Sequence, residues 1–148
     1  SMHLAAMLGQ KFSIVTVLHR LRPIYENQAK VYGVYEKLAS VRSVEIPVLE
    51  LEGNLTATTK ALTEQAILAV EQDHAAAIIF GCTGMLGCAE GVRKGLLQAG
   101  YDAPVIDPVP TTLRLAAALV EAGHSHSKIT YPAPPKKPVV GFPQSVYR

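Results

Sequence analysis

The fold is decided by a buried apolar run that leads directly into a glycine-rich turn. The run is Ala75-Ala76-Ala77-Ile78-Ile79-Phe80, and the turn is Gly81-Cys82-Thr83-Gly84-Met85-Leu86-Gly87. A short, continuous apolar run of this kind is typical of a strand that is buried on both faces. The turn places a thiol where this strand stops and a helix is expected to begin. Backbone N–H groups at such a point can bind an anion or favour a thiolate.

Outward from this stretch, the chain alternates apolar runs with helical patterns. The four runs cover 12–18, 41–49, 75–82 and 104–109, and the helical patterns that follow them cover 22–38, 58–72, 87–99 and 110–122. This alternation predicts an α/β fold in which a four-stranded parallel sheet lies between two helical layers. A flavodoxin-like strand order, 2-1-3-4, would bring the segment from Thr16 to Arg20 beside Cys82, at the carboxyl ends of the strands where such sheets bind ligands.

Length and composition indicate one domain followed by a tail. A chain of 148 residues that is 49% hydrophobic can bury one ordinary core. We expect the α/β domain to span residues 1–123 and a Pro-rich, extended C-terminal tail to span 124–148. The apolar segment from Met2 to Leu8 predicts a short helix before the first strand, which resembles the last turns of a longer element.

Charge and cysteine content narrow the class of partner and the compartment. The net charge of +2 is scattered along the chain, so no basic patch indicates nucleic acid, and a small molecule is the expected partner. With no secretory leader and no apolar run of membrane-spanning length, the sequence predicts a cytoplasmic protein that does not contact a membrane. The two cysteines are six residues apart, and we expect both to be reduced thiols.

Three kinds of chemistry could use a cysteine in the position of Cys82: a phosphatase loop, a dinucleotide-binding loop and general acid/base catalysis. A phosphatase loop would need an arginine six residues later, where Cys88 stands, and the glycine spacing of the turn does not match a dinucleotide-binding loop. A general acid/base role is favoured, in which the thiolate takes a proton from a carbon next to a carbonyl while the amides of Thr83, Gly84 and Met85 stabilise the oxyanion. From the residues alone, Cys82 as a small buried hydrophobic residue remains an equal alternative.

Several other side chains have simpler interpretations. Cys88 is interpreted as a structural thiol in the helix that follows the turn. His19 and Arg20 lie at the expected crevice and would either hold an anionic group or form a solvated loop. Asp107 is either part of the site or a local helix cap. Helical spacing indicates that three tyrosines pack against the sheet or a neighbouring subunit: Tyr25, Tyr32 and Tyr35.

The ordered segments of the chain resemble a known family. The segments are 11–16, 40–49, 81–85 and 104–109, together with the short helix at the amino end. They are similar to the Asp/Glu/hydantoin racemase family, most of all to its hydantoin and allantoin racemases. The resemblance implies two similar α/β halves with the site between them. It also implies proton transfer by two cysteines, one from each half, without a cofactor or a metal.

The resemblance assigns roles to residues of the turn and of the first strand. Cys82 matches the catalytic cysteine of the second half, and Thr83, Gly84 and Met85 match the substrate-binding turn beside it. Thr16 matches a substrate-contacting position after the first strand of that half. The next residue in the chain, Val17, belongs to the same substrate-binding segment but departs from the pattern, because the most similar relatives carry a second threonine there.

The resemblance covers only the second half of the family's fold. It implies that the partner cysteine belongs to a first half that this chain lacks, and that the chain alone does not interconvert the enantiomers, although it can slowly exchange the proton of one of them. The expected function is racemisation of a 5-substituted hydantoin or of allantoin, in a homo-oligomer. Two alternatives stay open: another enzyme of the superfamily, either an arylmalonate decarboxylase or a maleate isomerase, or a non-catalytic α/β module for ligand binding or subunit association.

Overall fold

The fold is a three-layer α/β/α sandwich. A computed structural model describes residues 1–135, apart from the side chain of Glu52. The strands form one parallel sheet of order β2-β1-β3-β4, which confirms the predicted fold class and strand order. The elements in chain order are α1 (Met2–Leu8), β1 (Phe12–Thr16), α2 (Arg22–Val31), β2 (Leu38–Ser43), α3 (Leu55–Asp73), β3 (Ala77–Phe80), α4 (Ala89–Gln98), β4 (Val105–Ile106) and α5 (Pro108–Glu121).

The two central strands are buried on both faces. Every residue of β1 and of β3 is buried, and the two strands pair directly, with Ile14 opposite Ile79. Because successive side chains of a strand point to opposite faces, Ile78 and Phe80 belong to the core on the α3 and α4 side, whereas Ala77 and Ile79 belong to the core on the α1 and α2 side. The continuous apolar run of β3 therefore supplies both cores.

Two of the predicted element boundaries are wrong, and the reasons are local. Helix α2 ends at Val31 rather than at residue 38, because Gly33 takes a left-handed conformation with φ +69° and breaks the helix. The second strand is Leu38–Ser43 rather than 41–49. Glu45, with φ 55°, leaves the extended conformation two residues after the strand ends, and Pro47 then precedes two 3-10 turns, Val48–Glu50 and Glu52–Asn54.

The glycine-rich turn also differs from the prediction. Cys82 is followed by a 3-10 turn, Thr83–Met85, and α4 begins only at Ala89. Gly87 separates the two elements with φ +87°. The thiol of Cys82 therefore lies at the start of a single tight turn, and the full helix begins after the second cysteine.

The chain divides into two compact units, residues 1–115 and 116–148. The second unit contains the end of α5 and then a turn in which the Tyr131 N–H donates to the Ser127 carbonyl at 2.9 Å. Residues 136–148, which carry the greater part of the predicted Pro-rich tail, lie outside the described residues, and the boundary predicted at residue 123 stays a prediction. Within residues 1–135, none of the helices has the length and apolar character needed to cross a bilayer.

Candidate functional site

The candidate site lies at the carboxyl ends of β1 and β3, where Cys82 leaves the sheet. The Gly81 N–H still bonds to the Val15 carbonyl at 2.8 Å, in the manner of the sheet. Cys82 itself is extended, with φ −135° and ψ 135°, and caps the 3-10 turn through its carbonyl, which accepts from the Met85 N–H at 3.2 Å. Its side chain is partly exposed. The end of a buried strand thus presents a thiol at the edge of the sheet.

Gly84 leaves room beside the thiol. A Cβ at Gly84 would lie 3.6 Å from Cys82 Sγ, 3.0 Å from Leu51 Cδ1 and 3.8 Å from Val48 Cγ1. The segment that follows β2 therefore packs against the turn, and the sulfur and this segment both border the space beside Gly84. A larger residue at position 84 would have to displace Leu51 and would crowd the sulfur.

The amides of the turn are not equivalent. The Met85 N–H is used within the turn, since it donates to the Cys82 carbonyl, and the Met85 side chain is fully buried in the core. Thr83 and Gly84 are the first two residues of the turn, and the first N–H groups of such a turn point away from it and have no acceptor within it. Within the turn, the Thr83 and Gly84 amides therefore remain available as donors, whereas the Met85 amide does not.

Thr16 and Val17 are buried at the end of β1. Thr16 is 0% exposed and Val17 is 1% exposed. The Thr16 carbonyl accepts from the Val44 N–H at 3.0 Å, and its hydroxyl donates to the Tyr25 hydroxyl oxygen at 3.0 Å. The strand order brings both residues to the same edge as Cys82, but their assignment as substrate-binding residues stays a prediction.

Tyr25 is a member of the site that the sequence did not identify. Its hydroxyl accepts from Thr16 and donates to the Gly81 carbonyl, one residue before the thiol. The sequence places Tyr25 on α2 as a packing residue, and the partner Gly81 is 56 positions further along the chain. The only sequence signal is the parallel strand order, which brings the start of α2 to the carboxyl edge of the sheet.

Cys88 is buried, in agreement with its interpretation as a structural thiol. It is 2% exposed and belongs to the core between the sheet and helices α3 and α4. It also stands at the first turn of α4, where its carbonyl accepts from the Val92 N–H at 3.0 Å. A thiol in this position has no access to a substrate at the surface.

Asp107 is a helix cap. Its carboxylate accepts from the Val109 N–H at 3.1 Å, inside the first turn of α5, and from the Gly87 N–H at 3.2 Å. A carboxylate at this position satisfies amides that a helix start leaves without partners. Asp107 therefore holds the end of the glycine-rich turn against the end of β4.

A carboxylate bridges the segments that follow β1 and β2. Glu45 accepts from the His19 N–H at 2.9 Å and from the Ser43 hydroxyl, and its backbone is left-handed with φ 55°. These hydrogen bonds, first that of Ser43 and then that of His19, lower the pKa of Glu45. His19 and Arg20 are exposed. The segment that was expected to hold an anionic group, His19 and Arg20, is therefore hydrogen-bonded through its backbone to an ionised carboxylate.

A cavity of about 590 Å³ lies elsewhere, in the open groove between α3 and α4. Thr59 and Thr63 face Gly91 and Gly95 there, so closely that a Cβ on either glycine would lie within 2.6 Å of a threonine methyl group. The groove results from this close helix packing. It does not contain Cys82, whose partly exposed thiol lies at the carboxyl edge of the sheet.

Comparison with known proteins gives a consistent result. Residues 1–116 match the family model described as Asp/Glu/Hydantoin racemase. A hydantoin racemase of Pseudomonas sp. (strain NS671) is 37% identical over 95% of this chain and 55% of its own length. The allantoin racemase of Pseudomonas fluorescens superposes with a TM-score of 0.79 at 40% identity, covering 95% of this chain and 58% of that one. The allantoin racemase of Klebsiella pneumoniae superposes with a TM-score of 0.82 at 32% identity, covering 95% and 56%. The chain spans about half the length of the curated relatives it matches.

Proposed function

The chain belongs to the Asp/Glu/hydantoin racemase family, and from that premise we propose that it is the Cys82-bearing part of a racemase for a 5-substituted hydantoin or allantoin. The observation that carries the proposal is the partly exposed Cys82 at the carboxyl edge of the sheet, at the start of a turn that offers amide donors. The hydantoin and allantoin racemases that this chain resembles are the source of the substrate class.

The proposed step is a proton transfer at the ring carbon next to a carbonyl. The Cys82 thiolate takes the proton from this carbon, so that the S–H bond forms as the C–H bond breaks. The electron pair moves into the ring carbonyl, and the resulting enolate oxygen carries the negative charge. The Thr83 and Gly84 amides stabilise that charge as it develops, so they stabilise the transition state more than the neutral ring carbonyl of the bound substrate and lower the barrier. The chemistry needs neither a cofactor nor a metal.

Racemisation also requires a proton to arrive on the opposite face of the carbon. The sequence contains two cysteines, and Cys88 is buried in the core with its sulfur on the inner side of the turn. We propose that the second acid/base is a thiol from a polypeptide segment outside this chain, equivalent to the first half of the family's fold.

The homo-oligomer and the substrate contacts of Thr16, Val17 and Met85 stay predictions from the resemblance.

Hydrogen exchange in deuterium oxide tests the role of Cys82. The purified chain is incubated separately with the two enantiomers of a 5-substituted hydantoin, and loss of the proton signal at the ring carbon is followed by NMR. We expect Cys82 to exchange the proton of one enantiomer much faster than that of the other, because one base serves one face. Optical rotation of each sample is expected to change little for the same reason.

Matched cysteine variants complete the test. Cys82→Ala is expected to reduce the exchange to the solvent background, whereas Cys88→Ala is expected to keep it. Exchange that survives in Cys82→Ala would disprove the role of this thiol, and so would the absence of exchange from both enantiomers with the unaltered chain. Equal exchange of both enantiomers that depends on Cys82 would contradict the one-face argument. Release of carbon dioxide from an arylmalonate would point to the decarboxylase alternative.

A further inference from the structure

The Tyr25 hydroxyl joins three elements at the point where Cys82 leaves the sheet. It accepts a hydrogen bond from Thr16 at the end of β1 and donates one to the Gly81 carbonyl, while its own backbone is part of α2. Thr16 is fully buried and Tyr25 is partly buried. The hydrogen-bonded sequence Thr16, Tyr25, Gly81 thus has one direction, with each hydroxyl donating to the next oxygen.

The approach of these three residues requires glycine at position 81. A Cβ at Gly81 would lie 2.9 Å from Thr16 Cβ, 3.0 Å from Thr16 Oγ1 and 3.0 Å from Tyr25 Cζ. The two Thr16 atoms lie next to the buried backbone of β1 and have little freedom to move, and Tyr25 Cζ carries the hydroxyl itself, so a side chain at position 81 would push the phenol away from the carbonyl. The glycine before the thiol therefore allows the tyrosine to reach the backbone.

A hydrogen bond to the Gly81 carbonyl constrains Cys82 as well. The Gly81 carbonyl and the Cys82 N–H belong to one planar peptide group, so fixing the direction of the carbonyl also fixes the direction of that N–H and the plane from which the Cys82 side chain starts. On the other side of Gly81, its N–H is held by the Val15 carbonyl. The peptide groups on both sides of Gly81 are therefore held by hydrogen bonds. The second of them joins Gly81 to Cys82, the residue with the thiol.

We infer that Tyr25 is a positioning residue: its hydroxyl sets the Gly81-Cys82 peptide and thereby the direction in which the Cys82 side chain leaves the sheet. This inference rests on the proposed function for its catalytic meaning, although the positioning itself is measurable without any substrate. The role given to Thr16 is to hold the phenol in place through its hydroxyl. Neither hydroxyl has to touch the substrate for this role.

Selective isotope labelling provides a direct measurement of the peptide. Both cysteines follow a glycine, Gly81-Cys82 and Gly87-Cys88, so a protein labelled with carbonyl-¹³C glycine and ¹⁵N cysteine gives signals from these two peptide groups alone in a carbonyl-to-amide correlation spectrum. Tyr25→Phe is expected to move the Gly81 carbonyl resonance upfield, because the carbonyl loses its donor. The Gly87-Cys88 signal is expected to stay in place and serves as the internal reference.

Alkylation of Cys82 measures the consequence for the thiol. Iodoacetamide reacts with the thiolate, so its rate at neutral pH reports how well the surroundings support that form. Tyr25→Phe is expected to slow alkylation of Cys82 about fivefold, the effect of losing one ordinary hydrogen bond that orients the reacting group. Tyr101→Phe is the matched control, because it removes a phenol hydroxyl that bonds to Glu71 at 2.9 Å and is expected to change neither signal nor rate.

Variants of Thr16 separate positioning from packing. Thr16→Val keeps the shape of the buried side chain but removes the donor to Tyr25, and it is expected to move the Gly81 signal and slow alkylation in the same direction as Tyr25→Phe. Thr16→Ser keeps the hydroxyl and is expected to restore values close to those of the unaltered chain. A packing role alone would give the opposite order, since valine fills the space better than serine.

The outcomes distinguish this inference from the proposed function. A Gly81 signal or a Cys82 alkylation rate that is unchanged in Tyr25→Phe would overturn the inference, even if Cys82 exchanges substrate protons. If Tyr25→Phe does not fold, the Thr16 pair decides by the same two measurements. A chain that exchanges no substrate proton but shows both responses would retain the positioning role of Tyr25 and disprove the proposed function.

Discussion

Gly81-Cys82 and Gly87-Cys88 contain the same two residue types six positions apart, but the glycine of each pair is needed for a different physical reason. Gly81 is required by space, since Thr16 and Tyr25 lie where its Cβ would be. Gly87 is required by conformation: its φ is +87°, and no heavy atom lies within 4 Å of the Cβ position. The first glycine admits a tyrosine to the backbone, and the second allows the chain to reverse between the 3-10 turn and α4.

The cysteines differ in the same way as the glycines. Cys82 is partly exposed at the edge of the sheet, whereas Cys88 is 2% exposed in the core. Gly87 lies between the two thiols, and the residue that follows it enters the core. The contribution of each glycine to the thiol that follows it can be tested one residue at a time.

The largest expected effect is the difference in reactivity between the two thiols. We expect iodoacetamide to alkylate Cys82 at least about a hundredfold faster than Cys88, because Cys88 can react only when the fold opens locally or globally. Mass spectrometry of the intact chain and of its fragments distinguishes the two sites over time. In urea the two rates are expected to converge. Equal rates in the native protein would mean that the burial of Cys88 does not protect it.

Replacement of the first glycine is expected to destabilise the protein strongly. Gly81→Ala introduces a methyl group into a packed junction, which should lower the free energy of unfolding by about 2 kcal/mol and disrupt the contact between Tyr25 and the backbone. Urea unfolding measures the first effect and Cys82 alkylation measures the second. Gly53→Ala is the matched control, because its Cβ position is open and its φ is not positive; it is expected to be neutral.

Replacement of the second glycine is expected to have a smaller effect, with a different dependence on residue type. Gly87→Ala places a Cβ in the left-handed region, which should lower the free energy of unfolding by about 1 kcal/mol. Gly87→Asn should lower it less, because asparagine tolerates this region better. At position 81 we expect asparagine to lower the free energy of unfolding more than alanine does, since its side chain is larger. If alanine and asparagine destabilised the protein in the same order at both positions, the two glycines would not be required for different reasons, one for space and the other for conformation.

Much of the fold could be predicted because it depends on local patterns. The apolar runs around Ile14 and Ile79 identified the central strands, and the alternation with helices led to the parallel sheet and its order. The ends of elements were predicted less well, since they depend on single residues. The left-handed Gly33 and Glu45 ended α2 and the second strand earlier than periodicity indicated, and the left-handed Gly87 delayed the start of α4.

The candidate site was only partly visible in the sequence. The buried Cys88 agrees with its interpretation as a structural thiol, whereas the acid/base role of the partly exposed Cys82 stays a prediction. Tyr25 could not be identified, since its hydrogen bond to Gly81 joins residues 56 positions apart. Such a contact depends on the three-dimensional arrangement of α2 and β3. Asp107 could be recognised as a cap only once the start of α5 was known.

An effect as small as that of Gly87→Ala is expected from an ion pair near the other end of β3, before the strand begins. Burial raises the pKa of Asp73, but hydrogen bonds from Arg42, at 2.6 Å and 3.0 Å, and from Ser40, at 2.6 Å, outweigh it and lower the pKa overall. A lowered pKa in the folded state stabilises the protein above the unfolded value of about 4, and the stabilisation is lost as pH falls through the folded pKa.

Protonation of Asp73 at low pH should therefore lower the free energy of unfolding. It should not change the ratio of the alkylation rates of Cys82 and Cys88. We expect the free energy of unfolding to fall by about 1 kcal/mol on this account as the pH is lowered below about 4, and Asp73→Asn to lack that part of the dependence. Glu90→Gln is the control, because Glu90 pairs with Lys94 at an exposed position where an ion pair stabilises little. If Asp73→Asn retained the full pH dependence, the acid-sensitive group would lie elsewhere. If it altered the alkylation ratio at neutral pH, the two ends of β3 would be coupled, and the environment of Cys82 would not be set by its own turn alone.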